Sequence, residues 1–179
     1  MCIWEWKVKY IEDREVIKRV KNGDKEAFGI LVERYGDKVF TYFMKLIGDR
    51  EEAEDLTSEV FLKAFKKIES FRDGKDFLPW LFRIARNEGI NYMSRNKKLT
   101  NLNLDTSSIS VEFERDFALY EALLSIPVKD RDIILLFYTE NLSYKEISEV
   151  LGIPVNLVKV RLYRAKKKLK EALEVRNEG

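Results

Sequence analysis

Histidine is absent from this chain of 179 residues, and cysteine occurs once, at Cys2. The lack of histidine excludes zinc fingers and most catalytic triads, and a single cysteine excludes a disulfide within the chain. No glycine-rich phosphate-binding loop is visible either. Carboxylate-only chemistry stays open, but no pattern in the sequence points to a metal site or to a cofactor.

Long apolar runs are also missing. No stretch approaches the roughly 18 consecutive apolar residues of a membrane span. The N-terminal sequence MCIWEWKVKY has charges among its apolar residues, unlike a signal peptide. We therefore expect a cytoplasmic protein without membrane insertion.

Proline and glycine are scarce, with three and eight copies, whereas 45% of the residues are hydrophobic. Little therefore interrupts long helices, and no segment shows convincing strand alternation. The sequence predicts an all-α protein of two small helical domains joined by a flexible linker. The domains are expected at 11–95 and 112–175, with a linker at 96–111 that is rich in Asn, Ser, Thr and Lys.

Start and stop signals divide these domains into helices. Asp24 can cap a first long helix that ends at Gly48, and Asp49 with Glu52 can begin a second, predicted over Asp49–Glu69. Two further helices are expected after the linker, at Phe117–Leu124 and Asp130–Tyr138.

The segment from Leu142 to Lys170 predicts two short helices joined by a tight turn. Ser143 with Glu146 forms a capping box, and Leu142 with Ile147 can close a hydrophobic staple over it. Gly152 supplies a left-handed turn at the end of the first helix. Such a helix-turn-helix lays its second helix in the major groove of DNA.

The second of these helices is strongly basic. Between Pro154 and Lys170 there are seven Lys or Arg residues and no acid, in a chain of net charge +2. An apolar stripe at helical spacing predicts one buried face, and the opposite face and its flanks carry the candidate DNA-binding residues Asn156, Leu157, Lys159, Val160, Arg161, Arg164 and Lys167. A solvated basic helix in a bundle is the alternative, although an unpaired run of like charge favours an anionic partner.

The outward face of the Asp49–Glu69 helix combines acidic groups with one leucine. Its members are Asp55, Ser58, Glu59 and Leu62. Isolated exposed leucines are common, and Glu59 with Lys63 is an ordinary i,i+4 pair. The residues alone leave partner binding and a plain solvated surface about equally open.

The segment Phe71–Arg95 interleaves aromatic residues with arginines. Aromatic rings can stack on exposed bases while guanidinium groups hold the backbone, which suits single-stranded nucleic acid. The aromatic residues could equally be core. The candidate residues here are Trp80, Arg83, Arg86 and Asn87.

The order of these segments carries more information than any one of them. The chain contains AEDLTSEVFLKAF, then an F-x-x-G-x-x-F-x-x-W-L-x-R-I-A-R-N pattern, then IPVKDRDIILLFY, LSYKEISEVLGI and VKVRLYRAKKKL. This collinear set resembles the bacterial sigma-70 family, and specifically its compact extracytoplasmic-function (ECF) group, which keeps regions 2 and 4. The resemblance covers about Glu15 to Leu173.

The resemblance implies a subunit that binds core RNA polymerase and directs it to promoters, with catalysis left to the core enzyme. It implies core binding by the face of Asp55, Ser58, Glu59 and Leu62. It implies recognition and melting of a −10 element by the Phe71–Arg95 segment, which agrees with capture of a base out of the stack. It also implies −35 recognition by the basic helix, and allows an anti-sigma factor as a further partner.

Departures from the family pattern bear on promoter sequence. Leu157 and Val160 stand where the family often has a small hydroxyl residue, and could touch thymine methyl groups. Pro154 replaces Ser or Thr, and Glu88–Gly89 replaces a more apolar pair.

Two other functions compete with this one. A stand-alone helix-turn-helix regulator explains the C-terminal half, but it leaves Asp49–Arg95 without a role and usually needs a dimer. A helical interaction protein without a DNA role explains the acidic face but not the basic helix. Binding to core polymerase and salt-dependent binding to DNA distinguish the three.

Overall fold

A computed structural model describes residues 11–96 and 117–177, with side chains described through residue 174. All regular structure in these two ranges is helical, which confirms the predicted fold class. The predicted linker at 96–111 lies almost wholly outside the described residues. Among the described helices, none is long and apolar enough to cross a membrane.

The first group of helices, which we call the N-terminal bundle, contains α1 to α4. Their bounds are α1 Asp13–Lys21, α2 Phe28–Ile47, α3 Arg50–Lys67 and α4 Phe77–Arg95. Short 3-10 turns precede α2 at Lys25–Ala27 and follow α3 at Ile68–Ser70. α3 contacts both α2 and α4, so these three helices form the body of the bundle.

The predicted signals at the ends of α2 and α3 are confirmed. The Asp24 carboxylate accepts from the Ala27 backbone amide at 3.2 Å, at the 3-10 turn that leads into α2. Gly48 ends α2 with φ of 85°, in the left-handed region that favours glycine. Asp49 accepts from the Glu52 amide at 3.0 Å and so caps α3.

The second group, which we call the C-terminal group, contains α5 to α8. Their bounds are α5 Phe117–Ser125, α6 Val128–Ile134, α7 Tyr144–Leu151 and α8 Val155–Asn177. α6 continues into a π-helical segment, Leu135–Thr139, which the sequence did not predict. Asn141, with φ of 53°, then reverses the chain before α7.

The capping box of α7 is present as predicted. Ser143 accepts from the Glu146 amide at 3.3 Å, and Glu146 accepts from the Ser143 amide at 2.7 Å. Leu142 and Ile147 are both buried, and Gly152 ends the helix with φ of 64°. These local signals fix the angle at which the chain enters and leaves α7.

The two groups share one continuous apolar core. Buried side chains of α2 and α4 belong to the same cluster as those of α6 and α7. α4 packs on α7, and α2 packs on α5, α6 and the π-helical segment. The described arrangement is therefore closed, with the C-terminal group resting on the bundle.

Candidate polymerase and DNA interfaces

The acidic surface of α3 lies opposite its buried stripe. Asp55, Ser58, Glu59 and Leu62 are all exposed, and Leu62 is 60% exposed. The opposite side of the helix is buried in the bundle through Ala53, Leu56, Val60, Phe61 and Ala64. An exposed leucine framed by carboxylates offers one apolar anchor inside a polar rim, the composition of a protein-binding surface.

Lys63 borders this surface and connects it to α4. Its ammonium group lies 3.6 Å from the Glu59 carboxylate and also binds Glu88 of α4. The hydrogen bond to Glu88 raises the pKa of Lys63. The predicted i,i+4 pair with Glu59 is thus confirmed, but the shorter contact is the one to the next helix.

An aromatic cluster packs at the N-terminal end of α4. The Trp80 ring lies 5.4 Å from that of Phe71 and 5.5 Å from that of Phe77, between ring centroids. Phe71 and Phe77 are buried, whereas Trp80 is only partly buried. Both interpretations of the segment therefore hold, since Phe71 and Phe77 form core while Trp80 stays partly exposed.

A surface cavity of about 480 Å³ opens beside Trp80. Its lining joins the loop before α4, one face of α4 and a single residue of the C-terminal group, Glu149 of α7. Arg83, one turn after Trp80, and Lys75 also line it, and the Lys75 ammonium group lies 3.0 Å from the Glu149 carboxylate. Arg72 is a third cationic residue of the lining, and an indole ring beside three cations is a composition that suits a base and its phosphate, although Asp76 and Glu149 add carboxylates.

The four candidate residues of α4 differ in their accessibility. Arg83 and Asn87 are exposed, and Trp80 lies at the edge of the cavity. The side chain of Arg86 is only 18% exposed, and its Nε donates to the Asp132 carboxylate at 2.7 Å. In this arrangement the Arg86 guanidinium is held by the C-terminal group.

Asp132 is the centre of a buried polar contact between the two groups. Besides Arg86, the Tyr42 hydroxyl donates to it at 2.9 Å. Burial raises the pKa of Asp132, although Arg86 and Tyr42 act in the opposite direction. Burial also raises the pKa of the Tyr42 hydroxyl. Asp132 could not be recognised from the sequence, because a polar residue early in a predicted helix gives no sign of a partner 90 residues away in the chain.

The neighbouring Arg131 connects the same two groups through hydrogen bonds to backbone carbonyls. Its guanidinium donates to the carbonyl of Leu46 in α2 and, at 2.7 Å, to that of Leu123 in α5. Both carbonyls lie in the last turn of a helix, where they have no partner within the helix. Burial lowers the pKa of Arg131 to about 10, so it stays charged at neutral pH.

The basic helix α8 presents its predicted face to solvent. The side chains of Asn156, Leu157, Lys159, Val160, Arg161, Arg164 and Lys167 are all exposed. Val158, Leu162 and Ala165 are buried on the opposite side, as the stripe predicted. Val155, the first residue of the helix, lies outside this buried face and is 39% exposed.

Some cations of α8 form ion pairs with carboxylates of the protein, whereas others do not. Lys167 and Lys170 lie 3.9 and 3.4 Å from Glu171 and Glu174, and Lys168 binds Asp130 of α6. Within the part of the chain that the structure describes, Arg161 and Arg164 have no such acidic partner. Unpaired cations near the start of the helix leave the charge there for an external anion.

Two tyrosines that the sequence analysis did not single out extend this basic surface. The Lys159 ammonium lies 5.6 Å from the ring centroid of Tyr144, and that of Lys166 lies 5.5 Å from Tyr138. The Tyr144 ring stacks on Phe137 at 5.3 Å. These rings orient the two lysines beside the helix-turn-helix. Within the described residues, no cluster of acidic, cysteine or histidine side chains could hold a metal ion.

A bundle with an exposed acidic face, followed by a group that carries a helix-turn-helix, is the architecture of a promoter-recognition subunit. Two family models match in this order, Sigma-70 region 2 over residues 31–99 and Sigma-70 region 4 over residues 116–169. The chain is 32% identical over 176 residues to the ECF RNA polymerase sigma factor SigW of Bacillus subtilis, covering 88% of this chain and 94% of SigW. It is 31% identical over 176 residues to the ECF sigma-E factor of Escherichia coli K12, covering 87% and 91%.

Solved structures agree with these matches. CnrH, in complex with the cytosolic domain of CnrY, is 26% identical with a TM-score of 0.73, covering 91% of this chain and 97% of CnrH. The sigma factor RpoE, solved with the anti-sigma factor NepR from Bartonella quintana, is 23% identical with a TM-score of 0.67. This match covers 83% of this chain and 97% of RpoE, and it supports the fold.

The chain belongs to the sigma-70 family, and within it to the extracytoplasmic-function group. It is a sigma factor that directs RNA polymerase to promoters and is not itself an enzyme.

Proposed function

We propose a division of this function over three surfaces. The acidic face of α3 binds core polymerase, the start of α4 binds and melts the −10 element, and α8 reads the −35 element. The order of these surfaces along the chain supports the division, together with the exposure of nearly every residue assigned to them. We place the region 2 function in residues 11–95 and the region 4 function in residues 112–175, joined by the linker at 96–111.

On the α3 surface, Leu62 is the anchor and Asp55, Ser58 and Glu59 form its polar rim. An apolar side chain that is 60% exposed loses its contact with water when a partner covers it. The surrounding carboxylates select a basic partner and steer its approach. Because the surface lies on a rigid helix of the bundle, binding needs no rearrangement there.

At the −10 surface, Trp80 and Arg83 line the cavity that receives an unstacked base, and Asn87 and Arg86 extend the surface along α4. Stacking on the ring of Trp80, which is only partly buried, replaces part of the stacking that the base loses on melting. The guanidinium of Arg83 balances a neighbouring phosphate. The energy of opening the duplex is thereby partly returned by contacts with the protein.

At the −35 surface, Asn156 and Arg161 lie near the start of α8, where base contacts concentrate in a helix-turn-helix. Leu157 and Val160 are the apolar members and contact thymine methyl groups. Arg164, Lys167 and Lys159 neutralise phosphates. Arg161 and Arg164 are both available to DNA, because no carboxylate of the described residues pairs with either of them.

Reconstituted transcription tests the proposed function. The chain with core polymerase should yield run-off transcripts from promoters selected out of a genomic library, whereas the chain alone should yield none. Equal transcripts with core polymerase alone would contradict the proposal. Specific DNA binding without any affinity for core polymerase would instead favour a stand-alone helix-turn-helix regulator.

An anti-sigma factor is a further partner that we propose for this chain. CnrH and RpoE, which share its fold, were both solved with a bound partner protein, and that of RpoE is an anti-sigma factor. A candidate from the same genome should abolish run-off transcription in proportion to its affinity for the chain, and added core polymerase should restore it. Binding without any loss of transcription would contradict this assignment. Such a protein, like the polymerase, would meet this chain in the cytoplasm.

A further inference from the structure

The closed arrangement covers part of one of the three proposed surfaces and leaves the other two open. α7 packs on α4, and Glu149 of α7 lines the cavity beside Trp80. In contrast, the acidic face of α3 and the basic face of α8 are exposed in the same arrangement. Closure therefore bears specifically on the surface proposed to bind the −10 element.

The groups that cover this surface are carboxylates, each set against a cation. Asp132 binds Arg86 at 2.7 Å, and Glu149 binds Lys75 at 3.0 Å. The two contacts lie on different helices of the C-terminal group, α6 and α7. A carboxylate and a phosphate oxygen are both anionic acceptors for the same donors, so protein and DNA cannot occupy these cations together.

The two contacts differ in the strength with which they hold the arrangement. The Asp132 side chain is 1% exposed and takes a second hydrogen bond from Tyr42, so its removal leaves buried donors without a partner. The side chains of Lys75 and Glu149 are 56% and 43% exposed, so that pair contributes little. The contacts of Asp132 with Arg86 and Tyr42, which we call the lock, therefore contribute most to the closed arrangement, whereas Glu149 lines the cavity.

We infer that the C-terminal group of this sigma factor acts as an intramolecular stand-in for DNA. In the closed state, Asp132 occupies Arg86 of α4 and Glu149 occupies Lys75 of the preceding loop, so that these two cations are withheld from DNA while the core-binding surface remains available. The inference rests on the proposed function only where it assigns this surface to the −10 element. It predicts that the free chain binds single-stranded DNA weakly and gains affinity when the lock is removed.

Förster resonance energy transfer between two dyes directly measures opening, the separation of the C-terminal group from the N-terminal bundle. In a Cys2→Ser background, Lys25→Cys in the bundle and Lys129→Cys in the C-terminal group place one dye on each side, at exposed positions. Asp132→Asn should lower the transfer efficiency, at any protein concentration, and shift the ratio of open to closed molecules by about tenfold or more. Helicity by circular dichroism should stay at the wild-type level.

Binding to a fluorescent mixed-sequence single-stranded 20-mer links opening to the covered surface. Asp132→Asn should tighten binding in parallel with opening, because apparent affinity scales with the open fraction. This gain should disappear when Trp80→Ala and Arg83→Ala are added, since binding through α8 alone would survive both changes. Affinity for core polymerase should remain within about twofold, because the α3 surface is exposed in both states.

A surface variant covers the case in which Asp132→Asn does not fold. Glu149→Lys replaces the weak attraction between Glu149 and Lys75 by repulsion between two ammonium groups and should lower the transfer efficiency, though by less than Asp132→Asn does. The double variant Lys75→Glu with Glu149→Lys should restore it. If the transfer efficiency is unchanged in every variant that folds, the proposed role of the lock is wrong, independently of whether the chain supports transcription by core polymerase. Opening without any gain in binding to the 20-mer would overturn the stand-in role. Absence of core-dependent transcription would count separately, against the proposed function.

Discussion

Gly89 of α4 lies so close to Leu46 of α2 that a Cβ on Gly89 would stand 2.7 Å from Leu46 Cδ2. The same Cβ would lie 3.1 Å from Cε1 of Phe43, whose ring is fully buried. The missing side chain is thus what lets α4 approach α2. This accounts for a glycine in the middle of a helix, where it costs about 1 kcal/mol in propensity.

Gly89→Ala should lower the free energy of unfolding by about 1 kcal/mol or more, because overpacking outweighs the gain in helix propensity. Urea unfolding checks this. Gly29→Ala is the matched control, since Gly29 lies in α2 with nothing within 4 Å of its Cβ position. The control should be stabilising by up to about 1 kcal/mol. Equal effects of the two changes would show that α4 does not need the close approach.

Leu62→Arg, and separately Asp55→Lys with Glu59→Lys, should weaken binding to core polymerase. Loss of an apolar anchor from a packed interface costs about 2 kcal/mol or more, equivalent to roughly thirtyfold in dissociation constant. Titration of labelled core polymerase measures the effect. Lys67→Glu at the end of the same helix, on another side of it, is the control and should change affinity little. Wild-type affinity in the Leu62 and Asp55/Glu59 variants with unchanged helicity would contradict the assignment of this surface.

The sequence predicted those features of the fold that depend on neighbours in the chain. The capping box of Ser143 and Glu146, the turn at Gly152 and the buried stripe of α8 follow from spacings of three to five residues. Asp132 and Arg131 could not be predicted in this way, because their partners Tyr42 and Leu46 belong to another group of helices. Periodicity reports which face of a helix is buried, but not what covers it.

The same distinction applies to the candidate sites. Exposure of the α3 and α8 faces follows from helical spacing, so the structure places those residues where the pattern predicted. The partial burial of Arg86 does not follow from it, because that depends on the packing of the C-terminal group on α4 and on the contact with Asp132. Sequence analysis therefore identified the candidate surfaces, whereas their accessibility in the closed state required the tertiary structure.

Trp80→Ala and Arg83→Ala should impair the opening of promoter DNA while sparing its initial binding. A template with a pre-melted −10 bubble should partly rescue both variants, because melting costs a few kcal/mol that the bubble has already supplied. Permanganate reactivity of unpaired thymines measures opening, and run-off transcription measures rescue. Phe82→Leu, a core change in the same helix, should not be rescued. Failure of the bubble to help Trp80→Ala or Arg83→Ala would assign these residues to folding or assembly instead.

Arg161→Ala and Arg164→Ala should both weaken promoter binding, but in different ways. A side chain that reads a guanine edge should cost about 1–3 kcal/mol and relax preference at one base pair. A side chain that only neutralises phosphate should weaken binding to all sequences and reduce the salt slope by about one unit. We expect the first behaviour from Arg161 and the second from Arg164. Lys170→Ala, which removes a lysine paired with Glu174, is the control with a smaller expected effect.

Fluorescence anisotropy on duplexes with and without the −35 element, at several salt concentrations, separates these behaviours. Full −35-dependent activity in the Arg161/Arg164 double variant would rule out α8 as the reading helix. Exchange of the two behaviours between the arginines would keep the helix but reverse the assignment of base and phosphate contacts.

Glu140, at the end of the π-helical segment, should make stability depend on pH. Its side chain is buried, and burial raises the pKa of the carboxyl from 4.5 to about 7, although Lys38 and Lys45 act in the opposite direction. Between these values the unfolded chain has lost the proton that the folded chain keeps. Folding then takes up a proton, so this group's contribution to stability decreases from about pH 4.5 to about pH 7 and is constant above that range.

Glu140→Gln keeps the shape of the protonated side chain and removes its titration. The variant should be more stable than wild type at pH 8, by up to about 3 kcal/mol for a pKa difference of this size, and nearly equal to it at pH 4.5. The quantity to measure is the difference in free energy of unfolding between the two proteins across this range, because other groups titrate equally in both. A difference that does not change with pH would mean that Glu140 is ionised in the folded protein, held in that form by the lysines of α2.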